Sequence, residues 1–478
     1  MTTQSTRPED RIPTGQKAAY AVGMLVNNLQ AAALPAMMVI LILGLGMDPL
    51  LVGVIGLWPR VFDALSDPMV GYWSDHTRTR WGRRRPFILV GALLAGILFA
   101  AMWQMPEGSS QRFYFWFFLV LSVLYILTYT LYATPFVALG YEMTPDYHER
   151  TRLHAVANTV GQLAWIGVPW FYALMENDRL FDNAAHGARV LAIWVGGTIA
   201  VFGLFPALFC RERSEFLKAK VATAGGFKRN FVDFFRGLAM TVKCPPFLCL
   251  CGATFLVFNG FQLGTSFSLF VMIFYVYGGA EGANDAAGSL NGTFGSLTAI
   301  CSLLVIPLAA WIAGRIGKRN TFFLTISLSI IGYALKWFGY NPEYPYLLLI
   351  AAPFVSFGIG SLFTLMGSMI SDVCDYDELR SHERREGTFG AIYWWMVKVG
   401  MALAGLMTGV LLKYADFDSA EGALQEESTL FYLRLFDVLI PICTSALAIL
   451  IMYGYTLSET RAREIRDELE ARRGKLPA

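Results

Sequence analysis

Of the 478 residues, 55% are hydrophobic and only 15% charged, which is too apolar for a soluble enzyme of this length and marks a polytopic membrane protein. A net charge of +2 leaves no bulk positive field for nucleic acid, so no nucleic-acid partner is expected. The seven cysteines are scattered, and Cys249 and Cys251 lie two apart, the wrong spacing for a redox or zinc pair.

The first sixteen residues are polar and lack an apolar core and a small-residue cleavage site, so the apolar stretch starting near Lys17 is expected to be a first membrane helix rather than a signal peptide. From there, apolar windows long enough to cross a bilayer fall near 18–44, 50–73, 86–105, 113–142, 154–175, 188–209, 246–277, 289–313, 321–340, 345–371, 387–412 and 429–456. Twelve spans put both termini on one side, and 30 of the 38 Lys and Arg residues fall on that side against 4 on the other. The positive-inside rule then places both termini in the cytoplasm.

The longest basic connector, Arg211 to Lys243, divides the spans six and six. The expected organisation is an N-terminal half over 1–210, a cytoplasmic linker over 211–244, a C-terminal half over 245–457 and a cytoplasmic tail over 458–478. Trp81-Gly82-Arg83-Arg84 after the second span and Ile316-Gly317-Lys318-Arg319 after the eighth stand 235 residues apart. The fold class expected is therefore an all-α membrane protein of two six-helix pseudo-repeats, the major facilitator plan, with a central site between the halves.

Charges inside spans are functional candidates, because an ionised Asp at a helix centre costs about 2.5 to 3.5 kcal/mol on insertion scales. Asp63 and Asp67 share one face of the second span, and a bound cation or proton between them would lift that cost. Arg60, three residues before Asp63, can pair with it and only stiffen the helix, but this leaves one carboxylate over. Lys398 lies mid-span in YWWMVKVGMALAG, too deep for easy snorkelling, and needs a carboxylate; Asp63 and Asp67 are the partners expected if the halves face each other. After span ten, SDVCDYDELRSHERREG holds Asp372, Asp375, Glu378, Arg384, Arg385 and Glu386. Such a run is either a solvated loop or one side of a cytoplasmic gate closed by ion pairs to Arg150 and its neighbours in the other half.

Amides within spans, at Asn27, Asn28, Gln30, Asn158, Gln162, Asn259 and Gln262, suit a neutral, hydroxyl-rich ligand, and Trp165 and Trp394 offer faces for a sugar ring. No GxxxxGK[ST] loop, metal spacing or nucleophile–base set stands out, so neither an ATP-driven pump nor an enzyme is expected, and no cofactor.

The run DALSDPMVGYWSDHTRTRWGRRRP from Asp63, the stretch DVCDYDELRSHERREGTFGAIYWWMVKVG from Asp372 and, more weakly, TPFVALGYEMTPDYHERTRL from Thr134 resemble signatures of the glycoside–pentoside–hexuronide:cation symporters. The resemblance implies cation binding at Asp63, Asp67 and Thr130, with Asp63 and Asp67 as metal ligands if sodium is the ion. It implies coupling through Lys398, joined here by Arg60, and a gate of Arg150, Asp372, Asp375, Glu378 and Arg384. The family's sugar-binding aspartates, tryptophan and arginine fall on Asn28, Ala133, Val137 and Asn158, so the substrate side is rewritten while the ion side is kept. Gln162, Trp165 and Trp394 complete the candidate substrate set. The expectation is a sodium- or proton-coupled sugar or glycoside symporter working by alternating access, monomeric, in the inner membrane of a bacterium and in contact with its lipid. The alternative is an amphiphile carrier, since lysophospholipid carriers resemble the same family.

Overall fold

The computed structural model describes residues 10–106, 108–144, 146–177, 179–212, 241, 244–279, 282–381, 386–418 and 424–473. Arg384 and Arg385, and most of the expected linker, lie outside them. All the named elements are helices: α1 (Thr14–Met37), α2 (Val39–Leu43), α3 (Pro49–His76), α4 (Arg85–Met102), α5 (Gln111–Glu142), α6 (Tyr147–Gly167), α7 (Phe171–Met175) and α8 (Ala184–Phe209), then α9 (Pro245–Phe270), α10 (Ala283–Ile316), α11 (Lys318–Gly339), α12 (Ala351–Ser381), α13 (Glu386–Tyr414), α14 (Glu427–Tyr453) and α15 (Glu459–Arg473). A π-helical turn, Val271–Val276, extends α9. This follows from the solvent: in hydrocarbon a spanning segment must satisfy its backbone internally, which a helix does alone.

Among the described residues, eleven helices are long and apolar enough to cross a membrane. The expected fifth window, 154–175, falls instead on α6, a 3-10 turn at Val168–Trp170 and α7. Pro169 lacks the N–H that would carry the helix through, and the first turns of α6 are polar. Helix starts follow local chemistry. Asp48 accepts from Leu50 N at 2.7 Å with Pro49 at the first helical position, Asp146 accepts from Glu149 N at 2.7 Å, and Asn183 from His186 N at 2.7 Å.

The helices form two compact units. The first holds α1–α8 with Asn284–Gly292 from the start of α10; the second holds α9, the rest of α10 and α11–α15. In the first, α4 and α8 approach so closely at Gly96 and Gly196 that a Cβ on either would run into the other's carbonyl oxygen. In the second, Phe247, Phe258, Phe322, Met366, Tyr393 and Met452 belong to one buried apolar core.

The 235-residue repeat is visible in side-chain detail. Gly82 has φ 108° and Gly317 φ 82°, and each leads into the next long helix. Beside Gly82 sits the Glu212 carboxylate, which accepts from the backbone N–H groups of Arg83, Arg84 and Arg85 at 2.9, 2.8 and 3.1 Å, at the start of α4. Beside Gly317 sits Glu459, from α15. Glu142 binds Arg83 and Arg84 at 2.6 Å each, and Arg84 also reaches Asp75 at 2.8 Å. In the second unit Lys318, the counterpart of Arg83, holds Asp372 at 2.7 Å.

Candidate cation site and its surroundings

Asp63 and Asp67 project from α3 one turn apart, opposite Thr130 and Thr134, one turn apart on α5. Thr130 Oγ1 donates to Asp63 Oδ1 at 2.8 Å, and Thr134 Oγ1 donates to Asp67 Oδ1 at 3.2 Å. Two parallel helices thus meet in two rungs of carboxylate and hydroxyl, each joining residues 67 apart in sequence. Asp63 is fully buried and Asp67 half-buried, so the upper rung is dry and the lower one opens outward from the helix pair. Ser66 adds a third hydroxyl: its Oγ lies 3.2 Å from both Thr130 Oγ1 and the Asp63 carbonyl. A hydroxyl carries one proton, so Thr130 can give its own to Asp63 while accepting from Ser66.

Prolines shape the backbone here. Pro68 in α3 leaves the Ala64 carbonyl without its usual N–H donor, one residue from Asp63, and Pro135 in α5 does the same for Leu131. Pro35 in α1 frees the Ala31 carbonyl, and Arg60 Nη2 donates to that oxygen at 3.4 Å. Arg60 Nη1 stands 3.7 Å from Asp63 Oδ2. The guanidinium therefore divides itself between a kinked α1 and the buried carboxylate.

The expected substrate positions divide by helix. Thr130, Ala133, Thr134 and Val137 form one stripe of α5, so the cation hydroxyls and two rewritten substrate positions share a face. Asn158, Gln162 and Trp165 form a stripe of α6, with Asn158 and Trp165 exposed and Gln162 half-buried. Asn28 Nδ2 donates to the Gly161 carbonyl at 3.0 Å, tying α1 to that stripe. Trp394 belongs to the second unit, where it stacks on Phe363 with centroids 5.7 Å apart. Lys398 lies half-buried in α13 of the same unit. Asn259, read from sequence as a ligand amide, is buried and donates to the Gly400 carbonyl at 2.9 Å.

Gate candidates Asp372 and Glu378 have partners inside their own unit, which the sequence did not reveal. Asp372 is held by Lys318, and Glu378 lies 3.6 Å from Arg472 of α15. Asp375 is on α12 between them. Arg150 Nη2 donates to the Thr144 carbonyl at 3.0 Å. At the head of α6, burial pushes the Glu149 carboxyl up, but the hydrogen bonds from Lys17 and from Ile12 N–H outweigh it and hold the group below its ordinary range.

Sequence reasoning missed Ser66 and a buried ion pair in the second unit. Lys336 Nζ lies 2.7 Å from Asp437 Oδ1 and 2.7 Å from Ser268 Oγ, while Tyr340 donates to Asp437 Oδ2 at 2.8 Å. Asp437 interrupts the apolar run FYLRLFDVLIPIC, the same signal that exposed Asp63. Among the described residues, no cluster of three or more His, Cys, Asp or Glu side chains has metal-site geometry. The cation chemistry on offer is two carboxylates with neutral oxygens, which fits a hard monovalent ion or a proton.

The chain is 24% identical to a glucuronide carrier protein homolog of Escherichia coli, with 95% of each chain covered. It is 22% identical to an isoprimeverose transporter of Lactiplantibacillus pentosus, covering 96% of this chain and 92% of that one. It is 24% identical to the mouse sodium-dependent lysophosphatidylcholine symporter 1, covering 96% and 88%. Among solved structures, a nucleoside transporter, NupG, matches the fold with a TM-score of 0.66 at 11% identity over 92% of this chain and 100% of that one. The model of the MFS/sugar transport protein family matches residues 19–459. The two carboxylate–hydroxyl rungs thus stand in a chain that belongs to the MFS/sugar transport protein family, the glycoside–pentoside–hexuronide:cation symporters anticipated from its signatures.

Proposed function

We propose that this protein is a secondary active symporter that drives entry of a sugar or glycoside with a monovalent cation, sodium or a proton, bound at Asp63, Asp67 and Thr130. The observation that carries the reading is the pair of rungs between α3 and α5, at 2.8 and 3.2 Å. Two carboxylates one turn apart in a membrane helix repel and are costly until a cation joins them. Thr130, Thr134 and Ser66 supply the further oxygens that a hard ion needs.

The ion-side hydroxyls share a stripe of α5 with Ala133 and Val137, and this supports coupling through one helix. Filling the cation site fixes the rotation of α5 and with it the substrate face. Linkage then makes the effect mutual: the ion tightens the sugar, and the sugar tightens the ion by the same factor. The amides Asn28, Asn158 and Gln162 with Trp165 favour a neutral, hydroxyl-bearing ligand. The likeness to the isoprimeverose transporter supports a glycoside. Arg60 and Lys398 serve coupling, and Arg150, Asp372, Asp375, Glu378 and Arg384 the cytoplasmic gate.

The same proposal takes α6 to α7 as a twelfth crossing. It places both termini in the cytoplasm of a bacterium, the protein in its inner membrane in contact with lipid, and the monomer as the working form, with no cofactor. A lysophospholipid is the second substrate class, favoured by the likeness to the mouse symporter. The test is uptake of a panel of labelled glycosides, glucuronides and lysophosphatidylcholine into vesicles, with sodium or pH gradients imposed separately. One sugar accumulating against its gradient with one of the two ions supports the reading. Uptake indifferent to both ions, or unchanged by Asp63→Asn, removes it.

A further inference from the structure

Lys398 is the one basic residue in the middle of α13, between Glu386 and Lys413, and its usefulness depends on which way α13 is turned about its own axis. The second unit contains a device that sets this rotation. Phe389, Tyr393, Val397 and Gly400 recur at spacings of four, four and three and form one stripe of α13. All four are buried, and Phe389, Tyr393 and Val397 belong to the core that also contains Phe247, Cys251 and Phe258 of α9. Phe247 and Phe389 meet edge-to-face at 4.8 Å.

Apolar contacts of this kind tolerate some rolling of one helix on another. The seam ends, however, in a directional bond: Asn259 Nδ2 of α9 donates to the Gly400 carbonyl at 2.9 Å, and Asn259 is 6% exposed. Steric closeness does not demand this bond. A Cβ at Gly400 would lie 3.5 Å from Phe255 and 3.9 Å from Phe258, in ordinary contact. Lys398 is two residues from the bonded carbonyl. It stands about 100° around the helix from Val397 and about 160° from Gly400, on the side of α13 turned away from α9. A bond at Gly400 therefore fixes the azimuth of Lys398 without touching it.

From this we infer that Asn259 is a positioning residue for coupling: its amide locks the rotation of α13 against α9 and so aims Lys398. The inference rests on the reading of Lys398 as a coupling residue. An asparagine is suited to the task because it donates from a short, rigid stem. Aspartate at the same place presents an oxygen to an oxygen, and serine keeps a donor on a shorter stem.

The experiment compares Asn259→Ser, Asn259→Ala and Asn259→Asp with Lys398→Ala in proteoliposomes, at matched amounts of folded protein. Two quantities are read: ion-driven accumulation relative to ion-independent exchange of the same sugar, and thermal unfolding. The expected coupling ratio falls in the order Asn, Ser, Ala, Asp, with Ala lowered about 10-fold, inside the usual range for coupling between sites. Exchange itself stays within about twofold of the parent, and Lys398→Ala uncouples as well. If Lys398→Ala uncouples while the three Asn259 variants lose only thermal stability at an unchanged ratio, Asn259 is merely structural and the inference is overturned. If Lys398→Ala also leaves the ratio unchanged, the coupling role of Lys398 falls and takes the inference with it. Should Asn259→Ala and Asn259→Asp not fold, Asn259→Ser decides alone, since a parental ratio there contradicts the expected order.

Discussion

Thr130 is the residue on which the two carboxylates' inequality turns. Its hydroxyl gives a charge-assisted bond to a fully buried Asp63, whereas Thr134 makes a longer bond to a half-buried Asp67. A hydrogen bond to a charged group is worth about 1.5 to 3 kcal/mol. Thr130→Val keeps the shape and removes the donor, and it is expected to raise the ion concentration for half-maximal uptake by about 10-fold or more. Thr134→Val is expected to move it by a few-fold at most, and an ion titration of uptake checks the order. A second residue-scale prediction concerns pH. Glu149 has a carboxyl held below its ordinary value of 4.5, so its tie to Ile12 and Lys17 contributes stability at neutral pH. The contribution is fully present above the unfolded value and is lost as pH falls through the lower folded value. Hydrogen exchange at the Ile12 amide is therefore expected to remain slow down to about pH 4.5 and to quicken below it, whereas Glu149→Gln exchanges faster at neutral pH.

Among whole elements, α15 shows what a tail helix does when its sequence offers little hydrophobic signal. ETRAREIRDELEARR has charges nearly all round, and only Ile465 and Leu469, four apart, give it an apolar edge. Those two side chains are 1% and 4% exposed and enter the core of the second unit, while Arg472 approaches Glu378 and Glu459 lies beside Gly317. Burying one such side chain is worth about 1.5 to 3 kcal/mol. Leu469→Asp is therefore expected to lower the thermal midpoint of the detergent-solubilised protein, with Ala462→Asp on the exposed side of the same helix near neutral. The contrast explains how much the sequence reveals. Long apolar windows and the charges inside them are legible because the bilayer punishes exceptions, which is why Asp63, Asp67 and eleven of the spans stand out. The helix α15 was expected only as a cytoplasmic tail, since two buried residues in fifteen carry no clear period. The break at Pro169 was hidden inside an apolar window. Ser66 and Thr134 read as ordinary span hydroxyls, and only the register between α3 and α5 gives them work.

On the scale of the whole molecule, the two units repeat one plan and depart from it at one buried pair. Gly82 and Gly317 share their position and backbone, and Pro206 and Pro441 recur at the same separation of 235 in α8 and α14. The positions 235 residues before Lys336 and Asp437 hold Ala101 and Phe202. The plan therefore closes this region without charge in the first unit, and the ion pair of the second is an addition rather than a requirement of the fold. It joins three helices: Ser268 of α9, Lys336 of α11 and Asp437 of α14 lie within 2.9 Å of one another, with Tyr340 closing the second carboxylate oxygen. Its energetics follow from the asymmetry of buried charge. Removing one partner leaves the other ionised in a dry interior and costs about 3 to 5 kcal/mol, while replacing both with apolar side chains is often neutral. Lys336→Met and Asp437→Leu singly are expected to destabilise the protein strongly, and Lys336→Met with Asp437→Leu to recover most of the thermal midpoint. The decisive comparison is uptake by the recovered double variant. Parental coupling would make the pair a brace holding α9, α11 and α14 as one body. A stable double variant that has lost ion-driven accumulation would instead make Asp437 a participant in the cycle, and would move part of the charge economy of transport into the second unit.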